Sequence, residues 1–171
     1  VTIHSTHLGG GFGRRSEMDF AIDAIEVAKA MPGTPIKVVW SREEDMRHDV
    51  YRPASYNVLR GGVGKDGKPV AWSHRVVSAS IMSRVFPQFV KNGIDRSAVE
   101  GAMELPYETP NVLVDYHMYE SGVPVGFWRS VGHSGNAFIS ESFFDELCAL
   151  NKLDPFETRK GLMTKAPRLR A

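Results

Sequence analysis

Gly9-Gly10-Gly11-Phe12-Gly13-Arg14-Arg15 is the stretch of this chain best suited to chemistry. Consecutive glycines let the backbone approach another group closely and adopt positive φ. Unobstructed N–H groups followed by two guanidinium groups make a cradle for an anion. The common nucleotide loops do not fit it. A Walker A turn ends in Gly-Lys-Ser/Thr, and a G-x-G-x-x-G spacing fails at its last glycine from Gly9 and at its middle one from Gly10. The plain alternative is a strand-to-helix turn that merely needs glycine.

A second loop, Pro124 to Asn136, reads Pro-Val-Gly-Phe-Trp-Arg-Ser-Val-Gly-His-Ser-Gly-Asn and leads into an apolar helical pattern from Ala137. Ser134 and Gly135 open that helix, so their N–H groups face an anion naturally. Between the loops, Ser41-Arg-Glu-Glu-Asp-Met46 is followed by Arg52, either an active-site cation or a surface arginine. Phe86, Phe127 and Trp128 are candidate pocket walls, although core packing is the expected role of such side chains. His4 and His7 lack a third metal ligand and are expected to bond the backbone. Cys148 falls on an apolar helical arc and reads as a buried small hydrophobe, with Glu141, Asp145 and Glu146 on the opposite arc.

The elements that must position these residues are mixed. Residues 16–31 have helical apolar spacing, with Ser16 as cap and Pro32-Gly33 as stop. Ser41 with Glu44 makes a capping box for a short helix over 42–48. Strands are expected at Val1–Thr6, Pro35–Trp40, Ser55–Gly64, Pro69–Ser83 and Asn111–Glu120, with a hairpin at Lys65–Lys68. Residues 84–110 read as loop with one helical turn, and helices cover 137–150 and 155–163. One hairpin and no strict βαβ repeat argue an α+β fold, a mixed sheet with helices on one side.

Bulk properties exclude several classes. The 171 residues are 42% hydrophobic and 24% charged with net charge +1, giving no electrostatic case for nucleic acid or an anionic membrane surface. One cysteine allows neither an internal disulfide nor a cysteine-held metal cluster. No apolar run approaches the ~18 residues of a membrane span. A first residue other than Met and an ending without a terminating element read as a central piece of a larger polypeptide.

Taken in order, Gly10-Gly11-Phe12-Gly13, Ser41–Met46 and Phe127-Trp128-Arg129-Ser130-Val131-Gly132 resemble the large, molybdopterin-binding subunit of the molybdenum hydroxylases, the xanthine oxidase and aldehyde oxidoreductase family. The Phe-Trp-Arg-Ser-Val-Gly form is most similar to the branch named for the isoquinoline 1-oxidoreductase beta subunit. That resemblance implies two-layer α/β units clasping the cofactor, with residues 1–120 as a first unit and 121–171 as cofactor loop and helices leading to the next.

The resemblance also implies site roles. Gly10, Gly11, Phe12, Gly13 and Arg14 would lie against the cofactor, as would Trp128, Arg129, Ser130, Ser134 and Gly135. A structural hydrogen bond is implied at Glu141. Arg52 stands at the spacing of a substrate-facing arginine, the one catalytic candidate in the chain, and no residue is expected to ligate the metal directly. The Gly-Lys-Glu of purine-oxidising relatives is replaced by Arg14, Arg15 and Ser16, which argues against a purine substrate. The implied activity is hydroxylation of an aldehyde or N-heterocycle carbon with oxygen from water. The implied cofactor is molybdopterin in its cytosine dinucleotide form. Implied partners are the rest of the subunit, a small [2Fe–2S] subunit and a cytochrome c acceptor, in a bacterial cytoplasm or periplasm. The family's catalytic base lies beyond this chain, so the chain alone is expected to be inactive. The alternative from another class is a scaffold paralogue that keeps the fold without metal.

Overall fold

The computed structural model describes residues 1–171. A hairpin forms its centre. β1 (Ser55–Val63) runs antiparallel to β2 (Pro69–Ser78), with Ser55 opposite Ser78, and the turn closes through Gly64 N–H to the Lys68 carbonyl. β3 (Asn111–Met118) pairs parallel with β2, in the order β1-β2-β3. The sheet is therefore mixed, as an α+β fold requires.

The long helix α4 (His133–Leu150) covers one face. Period-two alternation on β2 turns Trp72, His74, Val76 and Ser78 to that face, all buried. Trp72, Tyr107, Phe144, Leu147 and Cys148 form the main core with Leu162 from α5 (Pro155–Leu162). Gly61 on β1 has no side chain because the Leu147 isobutyl group occupies that space. Asp154 caps α5, accepting from Glu157 N–H at 2.8 Å, and Pro155 takes the first helical position.

The amino-terminal part is thinner. α1 (Asp19–Ala30) buries no residue fully, and α2 (Arg42–His48) is capped by Ser41 Oγ accepting from Glu44 N–H. The expected strands Val1–Thr6 and Pro35–Trp40 join no ladder. Their alternation produces extended chain, but a strand also needs a partner edge, and none of the three sheet strands offers one to them.

Three other boundaries move for local reasons. Ser16 closes a 3₁₀ turn (Arg14–Ser16), so α1 begins at Asp19 without a side-chain cap. β2 stops at Ser78 because Ser80 Oγ accepts from Ser83 N–H and starts α3 (Ile81–Val85). α4 begins at His133 rather than Ala137, because Gly132 is already in helical conformation and its carbonyl accepts from Asn136 N–H. Residues 84–110 hold two 3₁₀ turns, Pro87–Phe89 and Arg96–Val99. A short α6 (Pro167–Arg170) closes the chain.

Candidate functional site

The glycine loop and the 124–136 loop meet. Gly13 sits at φ 96°, and a Cβ there would collide with the Phe127 carbonyl. Glycine is thus required at Gly13 by the contact between the two loops themselves. Glu17 and Arg84 hold the same junction. Arg84 donates from Nη2 and Nη1 to the two Glu17 carboxylate oxygens (2.5 and 3.1 Å) and from Nε to the Val125 carbonyl (2.6 Å). Tyr51 pairs alongside: its N–H donates to the Pro124 carbonyl and its carbonyl accepts from Gly126 N–H, each at 2.9 Å. This pairing carries Arg52 to the groove wall that Gly126 and Phe127 also form.

Together these elements enclose a groove of about 770 Å³. Gly10, Gly11, Phe12, Arg14, Arg52, Trp128 and Arg129 line it, with the Val38–Trp40 segment opposite. Arg129 lies over the Phe12 ring at 5.8 Å. The backbone N–H groups of Gly10 to Gly13 and of Trp128 to Ser130 donate to no atom of the chain. Phe12, Ser130 and Val131 hold left-handed φ of 51°, 69° and 47°. Strain of this kind collects at ligand sites, and in β-branched Val131 it is especially costly. Free N–H donors, glycine access and exposed guanidinium groups are the donor set of an anion site, and they fit the phosphate-bearing tail of a pterin cofactor.

Each expected site residue has a definite place. Arg52 is exposed, pairs with no carboxylate and lines both the groove and a smaller cavity behind it. Gly135 lines that second cavity, while Ser130 and Ser134 line neither. Arg14 touches the groove but is engaged elsewhere. Its Nη1 and Nη2 donate to Asp19 (2.8 and 3.0 Å) and its Nε to Asp45 (2.7 Å), with Asp49 at 3.3 Å. Hydrogen bonding to Asp19 raises its already high pKa against the opposing effect of burial. Its guanidinium also lies near the Phe20 and Trp40 rings. Arg14 therefore braces α1 against α2 under the groove.

The aromatic residues separate. Trp128 is 57% exposed and walls both cavities, contrary to the core role expected of it. Phe127 packs on Ala79, Ile81 and Val125 and also lines the groove, as a pocket wall would, whereas Phe86 stacks edge-on with Phe89 and lines neither cavity. No group of three His, Cys, Asp or Glu side chains could hold a metal ion. Glu141 does make a structural hydrogen bond. Its carboxylate accepts from Tyr107 OH at 2.7 Å and from Arg159 Nε at 2.9 Å, and burial pushes the Tyr107 phenol up to about 12. Cys148 is buried, and burial raises its thiol pKa.

Sequence reading missed Glu17, Arg84 and Asp95. Arg84 lies in the weakly patterned 84–110 stretch, and its partner is 67 residues away. No local spacing could reveal that pair. Asp45 was within reach, since it belongs to the Ser41–Met46 motif.

This donor-lined groove on a mixed-sheet α+β fold defines a cofactor-binding domain. The chain belongs to the family described as "Molybdopterin cofactor-binding domain", which it matches over residues 1–162. It is 31% identical to the isoquinoline 1-oxidoreductase subunit beta of Brevundimonas diminuta, over 98% of this chain and 22% of that protein. It is 29% identical to the aldehyde oxidoreductase molybdenum-binding subunit of Escherichia coli K12, over 93% of this chain and 20% of that protein. The fold matches quinoline 2-oxidoreductase from Pseudomonas putida 86 with a TM-score of 0.71 at 21% identity, covering 90% of this chain and 19% of that one. The chain spans about a fifth of the length of these relatives.

Proposed function

We propose that this chain forms one wall of the molybdenum cofactor site in the large subunit of a hydroxylating oxidoreductase. Substrates are aldehydes or N-heterocycles, and electrons leave to [2Fe–2S] clusters on a partner. The supporting observation is the convergence of the glycine loop, the Trp128-Arg129 loop and Arg52 on one groove whose backbone donors are free. When bound, the pterin-held molybdenum supplies the two-electron redox chemistry.

The chain's own residues bind and orient. N–H groups of Gly10, Gly11, Phe12, Trp128 and Arg129 hold anionic ligand atoms, and Gly11 leaves room for their approach. Ser134 and Gly135 do not serve as the anion donors that their place at the helix start led one to expect, because their N–H groups donate to the Val131 and Gly132 carbonyls and neither residue lines the groove. Arg129 over Phe12 ties the two loops at the cofactor face. Arg52, free of ion pairs, stabilises negative charge developing on the heteroatom beside the attacked carbon. Arg14 holds the turn in place from below. The cytosine dinucleotide form of the pterin and a cytochrome c acceptor complete the proposal.

Metal and pterin analysis of the purified full-length protein tests it. Molybdenum and a pterin dinucleotide in near-stoichiometric amounts are expected. A well-folded protein from a molybdenum-replete host that carries neither is the scaffold paralogue, and overturns the proposal.

A further inference from the structure

Behind the groove lies a smaller chamber of about 330 Å³, with Arg52 and Trp128 shared between the two walls. Its lining grades from exposed to buried. Arg52, Ala54, Ser55 and Trp128 are exposed and form the mouth, whereas Ser78 (4%), Asp95 (1%) and Asn136 (3%) form a buried floor.

The floor is rich in acceptors and carries an uncompensated negative charge. Asp95 has no cation within ion-pair distance. Its Oδ2 accepts from Ser80 Oγ (2.7 Å) and Met82 N–H (3.2 Å), and its Oδ1 from Ser97 N–H (2.8 Å) and Ser97 Oγ (2.6 Å). Neutral donors hold the carboxylate in place without cancelling its charge. Asn136 commits Nδ2 to the Ala98 and Glu100 carbonyls, both at 2.9 Å, and its Oδ1 has no partner in the chain. Ser78 Oγ bonds nothing either, although both atoms belong to residues that line the chamber. The mouth has the opposite sign, for Arg52 is the only cation of the lining. Val76, Ala79, Ile81 and Val131 supply the apolar part of the lining.

We propose that this chamber binds a short ω-amino carboxylate. Its ammonium group rests on Asn136 Oδ1 and Ser78 Oγ in the field of Asp95, and its carboxylate pairs with Arg52 at the mouth. An ammonium group is all donor, which matches a floor of unpartnered acceptors. A hydroxyl would fill the same hydrogen bonds but leave the Asp95 charge unanswered. Arg52 offers a planar fork that suits a carboxylate. The volume lies at the small end of ligand pockets. Because Arg52 also lines the groove, an occupant of the chamber draws that guanidinium away from it. The two sites therefore compete for one side chain.

The test is a calorimetric titration of the full-length protein with 4-aminobutanoate, against butanoate and butan-1-amine, with molybdenum content measured on the same sample. Saturable binding of 4-aminobutanoate is expected, with each one-ended analogue about tenfold or more weaker. Ser78→Ala removes a hydroxyl that bonds nothing in the chain, so the fold survives while binding weakens severalfold. Ala98→Leu fills the chamber from its wall and should abolish binding. If that variant does not fold, Ser78→Ala and the analogue series still decide. No saturable binding, equal binding of butanoate, or binding indifferent to Ser78→Ala and to a folded Ala98→Leu overturns the assignment. A protein without molybdenum that still binds 4-aminobutanoate sinks the cofactor reading and leaves the chamber standing.

Discussion

The Arg84 guanidinium bonds both carboxylate oxygens of Glu17 and the Val125 carbonyl at once. One side chain thus fixes the exit of the glycine loop to the start of the Trp128-Arg129 loop. Glu17 is 8% exposed, so removing Arg84 strands a carboxylate out of water. Arg84→Ala should cost about 2–3 kcal/mol, below the fully buried range because Arg84 is partly exposed. Amide exchange at Tyr51 and Gly126, whose N–H groups pair across this junction, should accelerate, and Glu17→Gln in the Arg84→Ala background should recover part of the loss. Unchanged exchange in that loop would show that Tyr51 alone holds it.

Gly13 and Gly11 are needed for different reasons. Gly13→Ala drives a Cβ into the Phe127 carbonyl at positive φ, so the two loops must separate and thermal stability must fall. At Gly11 the nearest atom to an added Cβ is 3.7 Å away, which is ordinary contact. Gly11→Ala should therefore leave the melting temperature unchanged while lowering cofactor content. Loss of stability with normal metal content in Gly11→Ala would overturn the Gly11 assignment, and an unchanged melting temperature in Gly13→Ala would overturn the other.

Arg52→Ala should lower kcat by ~10²–10³ on an accepted aldehyde or N-heterocycle, the usual loss for one preorganised donor. Cofactor content and melting temperature should hold, because Arg52 makes no ion pair to lose. Activity within a factor of about three of wild type corresponds to under ~0.7 kcal/mol of barrier and leaves Arg52 a surface residue.

His74 is fully buried on the helix-covered face of β2, with Nε2 on Asn57 Oδ1 at 2.8 Å and Nδ1 unpartnered. Burial lowers its pKa, against a weaker opposing pull from Asp115. The neutral ring is the folded form, so the unfolded chain binds the proton more readily. Stability should be full above the ordinary histidine pKa of about 6.5 and fall as pH drops from there toward the depressed folded value. His74→Leu should flatten that part of the melting temperature against pH curve. An unaltered acid slope would place the sensitive group elsewhere.

Tyr107→Phe should remove one of the two phenols, Tyr107 and Tyr116, that burial pushes up to about 12, and cost about 1–2 kcal/mol, since a part-buried hydrogen bond to a charged acceptor is lost while Arg159 keeps Glu141 neutralised. Absorbance titration at 295 nm and thermal melts check the two parts separately.

Local chemistry was legible in the sequence wherever neighbours along the chain decide the outcome. Ser41 caps residues 42–48 as its spacing to Glu44 dictates, and Lys65–Lys68 turns the hairpin. Cys148 lies on the buried arc of α4, and the ordered loop motifs identified the family. Val1–Thr6 and Pro35–Trp40 show the limit of that reading, since alternation specifies an extended chain and only a partner edge makes it a strand. Trp128 shows another, because composition favours burial while its loop turns the ring outward between two cavities. The tertiary structure alone decided what Gly13, Arg14 and Arg84 do. Gly13 and Arg84 are defined by the Phe127 carbonyl and Glu17, and Arg14 by Asp45 as well as its neighbour Asp19, and contacts between segments 31 to 114 residues apart arise only once the chain has folded.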